Sequence, residues 1–276
     1  MTDQRCVLIT GCSSGIGRHV ALGLNARGYR VFATARKQED VEILMEEGLE
    51  SVQLDIANSA SIQNAFATVM QQTSGKLYAL FNNAAFGISG AVEDLTRDAL
   101  RDIFEANLFG THELTRLVIP VMRMQGEGRI IQNSSLLGFV ALKYRGAYIA
   151  TKFALEGLSD TLRMELEGTN IFVSLIEPGP IESDFRKNAY AAYKRYIDKD
   201  NSVFREVYQQ TEERLQTEGP VVPFTLGPEA VLKKVIHALE SKNPGVRYYV
   251  TFPAYLFGYL KRVLPDRIMD KILSGI

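Results

Sequence analysis

The sequence predicts an α/β protein with a doubly wound parallel sheet of about seven strands and a helical lid over one edge of the sheet. Short apolar, β-branched runs alternate with longer stretches of helical periodicity, without a compositional break. Runs such as IFVSLI at residues 171–176 are almost wholly apolar, as in strands covered on both faces. The 276 residues are 46% hydrophobic and 23% charged, which excludes a disordered chain or a coiled coil.

The elements follow one another in a strand–helix alternation. Strands are predicted at residues 6–10, 30–35, 51–54, 77–81, 129–133, 171–176 and 247–251. Helices are predicted at residues 16–27, 39–47, 59–74, 97–125, 148–167 and 228–240, with two more within 184–218. Because no linker or low-complexity tract interrupts the chain, residues 1–276 are predicted to form one domain, with a lid at about 183–223 and an apolar, basic tail at 253–276.

Charge and cysteine content narrow the function classes. Thirty-one Lys and Arg balance 32 Asp and Glu, so nucleic acid is not expected as a partner. Cys6 and Cys12 lie across a predicted strand and turn and are expected to be reduced thiols. The apolar run at residues 7–9 is too short for a signal-peptide core, and no apolar run approaches the ~18 residues of a membrane span. A cytoplasmic location is therefore expected.

A glycine-rich loop, TGCSSGIG at residues 10–17, follows the first predicted strand and opens directly into a helix. A pyrophosphate needs backbone N–H donors and the positive end of a helix. Gly11 suits the tight turn, Gly15 the close approach of the backbone, and Gly17 the packing of helix on strand, while Ser13 and Ser14 can add hydroxyl donors. Glycine triads also occur by chance as plain turns, but the strand before and the helix after predict a dinucleotide site.

The tip of the second predicted strand indicates which dinucleotide binds. An NAD site usually carries Asp or Glu there, to accept hydrogen bonds from the adenosine ribose. This chain has Arg36 and Lys37 instead, and a 2′-phosphate prefers a guanidinium fork or an ammonium. Both side chains could also be ordinary solvated charges. The prediction is NADP.

The proton donor for a carbonyl reduction is predicted from a tyrosine–lysine pair. Tyr148 and Lys152 are four residues apart on a predicted helix, so the ammonium lies on the same face as the phenol and favours its ionised form. Lowering a tyrosine pKa from near 10 to about 7 takes about 4 kcal/mol, which this lysine and a positively charged nicotinamide could supply together. Ser135, at the end of the fifth strand, can donate a hydrogen bond to the substrate oxygen. An isolated YxxxK pair is also common on surface helices, but the serine favours a catalytic site.

Several motifs in order resemble the short-chain dehydrogenase/reductase family over residues 7–181. These are the glycine loop, NNAA at 82–85, NLFG at 107–110, SSLLG at 134–138, YIATK at 148–152 and PG at 178–179. Ala85 stands where the family has glycine, which adds a methyl group near the cofactor. Within the family, the chain looks most like the branch of retinol dehydrogenases, 17β-hydroxysteroid dehydrogenases and bacterial aldehyde reductases.

The resemblance implies a Rossmann fold and a role for each matched residue. Tyr148 would be the proton donor, Ser135 the stabiliser of the substrate oxygen, Lys152 a bridge to the nicotinamide ribose, and Asn107 the holder of a water in a proton relay. Asp55 would lie beside the adenine. The full set expected to bind the cofactor is Gly11, Ser13, Ser14, Gly15, Ile16, Gly17, Arg36, Lys37, Asp55, Ile56, Asn83, Ala84, Tyr148, Lys152, Pro178, Gly179 and Ile181.

The lid and the tail indicate the substrate and the partners. The lid is rich in aromatic residues, which predict a bulky apolar carbonyl or alcohol as substrate, although the rings could equally pack the lid onto the core. The tail could touch a membrane surface, cover the pocket or form a subunit contact. The family's habits imply a homodimer or homotetramer. His19, His112 and His237 are scattered, so no metal site is predicted.

The sequence therefore predicts an NADP-dependent oxidoreductase that interconverts an apolar aldehyde or ketone and its alcohol. The alternative from another class is a redox sensor that binds NADP and signals through a partner without turnover. A sensor has no need of a proton donor, so the Ser135, Tyr148 and Lys152 set favours the enzyme.

Overall fold

The computed structural model describes residues 4–275, so residues 1–3 and 276 of the predicted domain and tail lie outside the described residues. Its centre is a parallel sheet with the strand order β3-β2-β1-β4-β5-β6-β7. The strands are β1 (Cys6–Ile9), β2 (Arg30–Ala35), β3 (Glu50–Gln53), β4 (Ala79–Asn82), β5 (Gly128–Asn133), β6 (Ile171–Glu177) and β7 (Arg247–Tyr249). The predicted doubly wound sheet of seven strands is confirmed.

The α-helices connect the strands and extend beyond the last of them. They are α1 (Gly15–Ala26), α2 (Gln38–Glu46), α3 (Ser59–Gln72), α4 (Arg97–Phe104), α5 (Gly110–Gln125), α6 (Gly146–Glu165), α7 (Phe185–Tyr196), α8 (Arg205–Gln216), α9 (Glu229–Glu240), α10 (Phe252–Val263) and α11 (Asp266–Leu273). Local capping explains several of their ends. Asn58 caps α3 by accepting from the Ser61 N–H at 3.0 Å, and α5 ends at Gly126 in the left-handed conformation.

The long helix predicted over residues 97–125 is present, but it is not α-helical throughout. A π-helical segment, Glu105–Phe109, separates α4 from α5. At the junction, a Cβ on Gly110 would lie 1.6 Å from the main-chain oxygen of Ile56, so the helix approaches the loop after β3 as closely as glycine allows. A π-helical turn inserts a residue into the helical repeat, and such turns are frequent at functional sites.

The core lies on both faces of the sheet, as the apolar strands predict. In β1, Val7 and Ile9 point to the face that α1 and α9 cover, whereas Leu8 points to the face of α3 and α5. Cys12 lies in the first of these cores, and both cysteines are buried and not bridged by a disulfide. Burial of alternate residues on opposite faces fixes the register of the strand and therefore the position of the loop that follows it.

The lid and the tail form two smaller cores above the carboxyl edge of the sheet. Helices α7 and α8 pack with α4 and α6 around the fully buried Tyr193 and Tyr208. The tail helices pack Phe257, Met269 and Leu273 against the loop that follows β5. One side of the tail therefore covers the site edge, while its opposite side exposes apolar residues such as Val263. Within residues 4–275, the helices are all too short or too polar to cross a bilayer.

Candidate active site

The glycine loop lies between β1 and α1, and β1 stands between β2 and β4 in the sheet. Crossovers leave this point in opposite directions, which opens a crevice at the carboxyl ends of the strands. Gly11 and Gly15 have φ values of +71° and +54°, a region that favours glycine. A Cβ on Gly11 would lie 2.8 Å from the Ala84 Cα, and one on Gly15 would lie 2.8 Å from the Ser183 Cβ.

Gly17 lies where α1 packs closely against the glycine loop and the end of β4. A Cβ at this position would lie 2.2 Å from the Gly11 oxygen and 2.6 Å from the Asn83 Nδ2, so Gly17 supports the loop and the end of β4 from below. Asn83 also donates from Nδ2 to the main-chain oxygens of Thr10 and Gly11, each at 3.0 Å. The Thr10 hydroxyl accepts from the N–H groups of Asn83 and Ala84 at 2.9 and 3.0 Å. The glycine loop and the loop after β4 are thus held as one unit.

The same unit extends to the predicted catalytic lysine. Asn133, the last residue of β5, donates from Nδ2 to the Asn83 Oδ1 at 2.9 Å. Its main-chain oxygen accepts a hydrogen bond of 2.7 Å from the Lys152 ammonium, which is buried. Side chains from β4, β5 and α6 therefore connect the glycine loop to Lys152 in an unbroken series of hydrogen bonds.

Tyr148 and Ser135 meet beside this lysine. Tyr148 is 9% exposed, and its phenol makes a side-chain hydrogen bond with Ser135, which projects from the end of β5. The Ser135 Oγ accepts from the Leu137 N–H at 3.0 Å, so its own hydroxyl proton can be donated. The Lys152 Nζ is 5.6 Å from the centroid of the Tyr148 ring, one helical turn away. The structure brings together the phenol, hydroxyl and ammonium that the sequence predicts.

Burial dominates the electrostatics of the pair. It raises the pKa of Tyr148 above its usual value, and the hydrogen bond from Ser135 opposes that rise only in part. Burial also lowers the pKa of Lys152 to about 8, against the attraction of Glu156. The lowered Tyr148 pKa expected from the sequence requires a positively charged nicotinamide as well as the lysine, so it remains a prediction.

Asn107 lies in the π-helical segment and is buried. Its Nδ2 donates to the Phe86 oxygen at 2.8 Å and to the Thr151 hydroxyl at 3.2 Å, while its Oδ1 accepts from the Phe86 N–H at 3.0 Å. These bonds connect the loop after β4 to α6 in the turn that carries Lys152. The structure therefore shows that Asn107 joins the loop after β4 to α6 through hydrogen bonds. Its role in a water relay remains a prediction.

One cleft of about 2130 Å³ connects the loop, the catalytic pair and the lid. Every residue expected to bind the cofactor lines it except Gly17, which packs beneath the loop, and Ser135 lines it as well. The predicted residues on its surface are Gly11, Ser13, Ser14, Gly15, Ile16, Arg36, Lys37, Asp55, Ile56, Asn83, Ala84, Ser135, Tyr148, Lys152, Pro178, Gly179 and Ile181. A cleft of this size exceeds the usual range for a single small molecule and has room for a nucleotide with a substrate.

The basic pair at the tip of β2 faces this cleft. Arg36 and Lys37 are exposed, and the main-chain oxygen of Arg36 accepts a 3.0 Å hydrogen bond from the Gln53 side chain. Asp40, in the first turn of α2, also lines the cleft, but residues 36 and 37 at the strand tip are both basic. The arrangement leaves a guanidinium and an ammonium available to a phosphate.

Two contacts of the site escaped sequence reasoning, and one expected distortion is absent from the described residues. Asn133, the residue before SSLLG, forms hydrogen bonds with both Lys152 and Asn83. Its position at the end of a predicted strand is the sequence feature that could have identified it as a site residue. Phe185 packs edge-on against Tyr148 at 5.3 Å between ring centroids. Ala85 causes no strain, because the non-glycine residues with positive φ in the described chain are Ser74, Tyr144, Phe224 and Thr251.

The described residues contain no cluster of side chains suited to bind a metal ion. Over the part of the chain that the structure describes, His, Cys, Asp and Glu side chains do not assemble into groups of three that could hold a metal ion.

Comparisons with known sequences identify proteins to which this chain is similar. The short chain dehydrogenase family model matches residues 5–194. The oxidoreductase YbbO of Escherichia coli is 44% identical over 272 residues, which cover 99% of this chain and 95% of the relative. Human 17-beta-hydroxysteroid dehydrogenase type 1 is 33% identical over 89% of this chain and 77% of its own length. Human retinol dehydrogenase 8 is 31% identical over 88% of this chain and 80% of its own.

Solved structures show the same fold. A short-chain dehydrogenase from Streptomyces avermitilis superposes with a TM-score of 0.79 at 28% identity, over 99% of this chain and 98% of that one. An actinorhodin polyketide ketoreductase solved with NADPH has a TM-score of 0.73 at 27% identity, over 91% of this chain and 97% of its own. Sheet order, site geometry and sequence thus agree, and the chain is an oxidoreductase of the short-chain dehydrogenase/reductase family.

Proposed function

We propose that the chain is an NADP-dependent oxidoreductase that interconverts an apolar aldehyde or ketone and the corresponding alcohol, with Tyr148 as the proton donor. The observation that carries the proposal is the meeting of Tyr148, Ser135 and Lys152 in one cleft with the glycine loop. A carbonyl reduction needs an acid at the oxygen on the side opposite the hydride, and this cleft supplies one.

The residues present fit a dinucleotide. The backbone at Gly11 and Gly15 forms a cradle that a Cβ would fill, and it opens into the N-terminus of α1, where anions bind favourably. Arg36 and Lys37 favour NADP over NAD, because a 2′-phosphate is neutralised by a guanidinium or ammonium. The ketoreductase neighbour solved with NADPH supports the same choice. When bound, the nicotinamide supplies the hydride.

The chain's own residues handle the proton and the developing negative charge. The Ser135 hydroxyl donates a hydrogen bond to the substrate oxygen and holds it next to the phenol. Tyr148 then gives its proton to that oxygen. The Lys152 ammonium stabilises the phenolate that remains, and Asn133 holds the lysine in place through its main-chain oxygen.

An apolar substrate suits the far wall of the cleft. Phe185 from α7 and Phe257 from α10 line it, together with the aliphatic residues Leu136, Leu137 and Val140 after β5. Two relatives carry the names of a hydroxysteroid and a retinol dehydrogenase, and both names denote bulky apolar alcohols. A cytoplasmic location, a homodimer or homotetramer, and a membrane contact through the exposed side of the tail remain predictions.

The test is loss of NADPH absorbance with purified protein and a panel of long-chain aldehydes, retinal and ketosteroids. The proposal expects turnover with at least one member and a lower KM for NADPH than for NADH. Tight NADPH binding without turnover across the whole panel would favour a redox sensor instead.

A further inference from the structure

Arg145 lies at the beginning of α6, three residues before Tyr148, in a position the proposed chemistry does not use. It is partly buried and lines the same cleft as Tyr148. Its backbone is fixed by pairing with Gly90 and by the positive φ of Tyr144 before it. Its guanidinium donates to the Tyr144 oxygen at 3.0 Å, a single backbone bond for a group with five N–H donors.

A second arginine, Arg214 from α8, lines the same cleft, with its side chain exposed. Burial, together with repulsion from Arg214, lowers the pKa of Arg145 to about 10. The pKa of Arg214 is lowered as well, by burial and by Arg186. Arg186 is itself tied to main-chain oxygens at residues 214 and 217, so it holds the end of α8 in place. In the described chain, no carboxylate contributes to the pKa shift of Arg145 or Arg214.

Several acidic groups of this region are already committed elsewhere. Asp102 pairs with Arg195 at 3.2 Å and accepts from the Tyr196 hydroxyl. Glu212, on the same helix as Arg214, pairs with Lys199 at 2.7 Å. Arg145 is the more buried of the two arginines, and placing its charge near a like charge in a partly desolvated cleft is costly unless an anion compensates it.

We propose that Arg145, assisted by Arg214, binds an anionic group of the carbonyl substrate, a carboxylate or a phosphate, on the lid side of Tyr148. The inference rests on the proposed function and narrows its substrate class to apolar aldehydes or ketones that carry an anion away from the reacting carbonyl. A guanidinium binds either anion through two parallel hydrogen bonds, which fixes orientation as well as charge. The apolar residues of the cleft hold the body of such a substrate, and the arginines hold its end.

The test compares matched substrates with NADPH: azelaic semialdehyde, its methyl ester, the aldehyde whose far end carries a phosphate monoester, and nonanal. The readout is the ratio of kcat/KM for each anionic aldehyde to kcat/KM for the neutral methyl ester. Wild-type protein is expected to give a ratio of about 30 for at least one anion, the size expected for hydrogen bonds to a charged group. Which anion is preferred distinguishes a carboxylate substrate from a phosphate substrate.

Two variants assign the preference to the arginines. Arg145→Met is expected to bring the ratio to about 1 and Arg214→Met to lower it severalfold. Arg205→Met is the matched control, because Arg205 lies on the same helix as Arg214 but outside the cleft, and it should keep the wild-type ratio. A structural defect would lower kcat/KM for all substrates together and leave the ratio unchanged.

The outcomes separate this inference from the function on which it rests. If the wild type reduces nonanal and the methyl ester but shows no preference for either anion, the anion site is overturned and the oxidoreductase stands. A preference that survives both arginine variants also overturns it. If no member of the set consumes NADPH, the proposed function fails instead.

Discussion

The nucleotide side and the lid side of the cleft are built by different forces. On the nucleotide side, side-chain hydrogen bonds join the ends of β1, β4 and β5 to α6, through Thr10, Asn83, Asn133 and Lys152. On the lid side, α7 and α8 are held mainly by packed rings such as Tyr193 and Tyr208.

This difference in construction suits the nucleotide side to a constant cofactor and the lid side to a changing substrate. Hydrogen bonds require particular atoms at particular distances, so the nucleotide side is suited to one cofactor. Packed apolar surfaces tolerate changes of residue when volume is conserved, so a lid can be reshaped for a new substrate while the chemistry beneath it stays. Changes on the nucleotide side should therefore affect binding or turnover strongly, and changes in the lid should affect stability or selectivity.

The largest effect is expected from Tyr148→Phe. Removing the phenolic proton donor should lower kcat by about 1000-fold, within the range of general acid catalysis. Nucleotide affinity should change less than about twofold, because the loop and Lys152 are untouched. Steady-state kinetics and fluorescence titration with NADPH measure the two quantities. Equal activity in the variant would contradict the role of Tyr148.

Gly17→Ala should be nearly as damaging to nucleotide binding. The new Cβ would lie 2.2 Å from the Gly11 oxygen, so the loop must shift, and we expect the Kd for NADPH to rise by about 100-fold. The matched control is Gly157→Ala on α6, where a Cβ meets nothing within 4 Å. That variant should gain roughly 0.5–1 kcal/mol of stability and keep its affinity. Wild-type affinity in Gly17→Ala would show that the loop is not rigid.

Arg36→Ala tests the cofactor preference. Loss of the guanidinium should raise the Kd for NADPH by about 30-fold and that for NADH by less than threefold, as expected for a charged hydrogen bond to the 2′-phosphate. Arg123→Ala, an exposed arginine on α5, serves as the control. Similar increases for both nucleotides would remove Arg36 from the 2′-phosphate site.

The pKa of Lys152 predicts an alkaline limit to cofactor capture. The ammonium is charged below pH about 8 and neutral above it, so kcat/KM for NADPH, which reports the free enzyme, should fall by about tenfold per pH unit above that value. Lys152→Arg keeps its charge across this range and should show no such decline, whatever its absolute rate. The same decline in the arginine variant would assign it to another group.

The smallest effect on turnover is expected in the lid. The Tyr208 hydroxyl donates to Asp94 and accepts from the Ala91 N–H at 2.9 Å, so Tyr208→Phe should lower the free energy of unfolding by about 1–3 kcal/mol. Tyr259→Phe, at a position 65% exposed, should change it by less than about 0.5 kcal/mol. Urea unfolding measures both. A large loss of nucleotide affinity in Tyr208→Phe would break the distinction between the two sides.

Sequence patterns predict the nucleotide side well and the lid side poorly, for the same physical reason. The glycine loop, the tip of β2 and the Tyr148–Lys152 pair are short segments in which spacing alone fixes geometry. The presence of Arg145 and Arg214 in one cleft depends on how α8 packs in the fold, and nothing local in either segment encodes it. The π-helical turn at Asn107 likewise depends on a contact between Gly110 and Ile56, which are distant in sequence.

The pKa of Tyr148 shows a second limit of sequence reasoning. The i,i+4 lysine is visible in the sequence, and together with a positively charged nicotinamide it predicts a lowered pKa. Burial of the phenol, which raises the pKa, becomes visible only when the lid, the loop after β5 and Phe185 are packed around it. Whether the pKa of Tyr148 rises or falls depends on how deeply the folded chain buries the phenol, and the sequence pattern does not contain that information.

The most direct test of the account is transfer of a label. NADPH that carries two deuterium atoms at the reactive carbon of its nicotinamide is mixed with the protein and nonanal, and the alcohol product is analysed by mass spectrometry. The account predicts one deuterium in each molecule of nonanol formed by the wild type, and almost no nonanol from Tyr148→Phe. Nonanol without the label, or equal amounts from both proteins, would contradict hydride transfer completed by a proton from Tyr148.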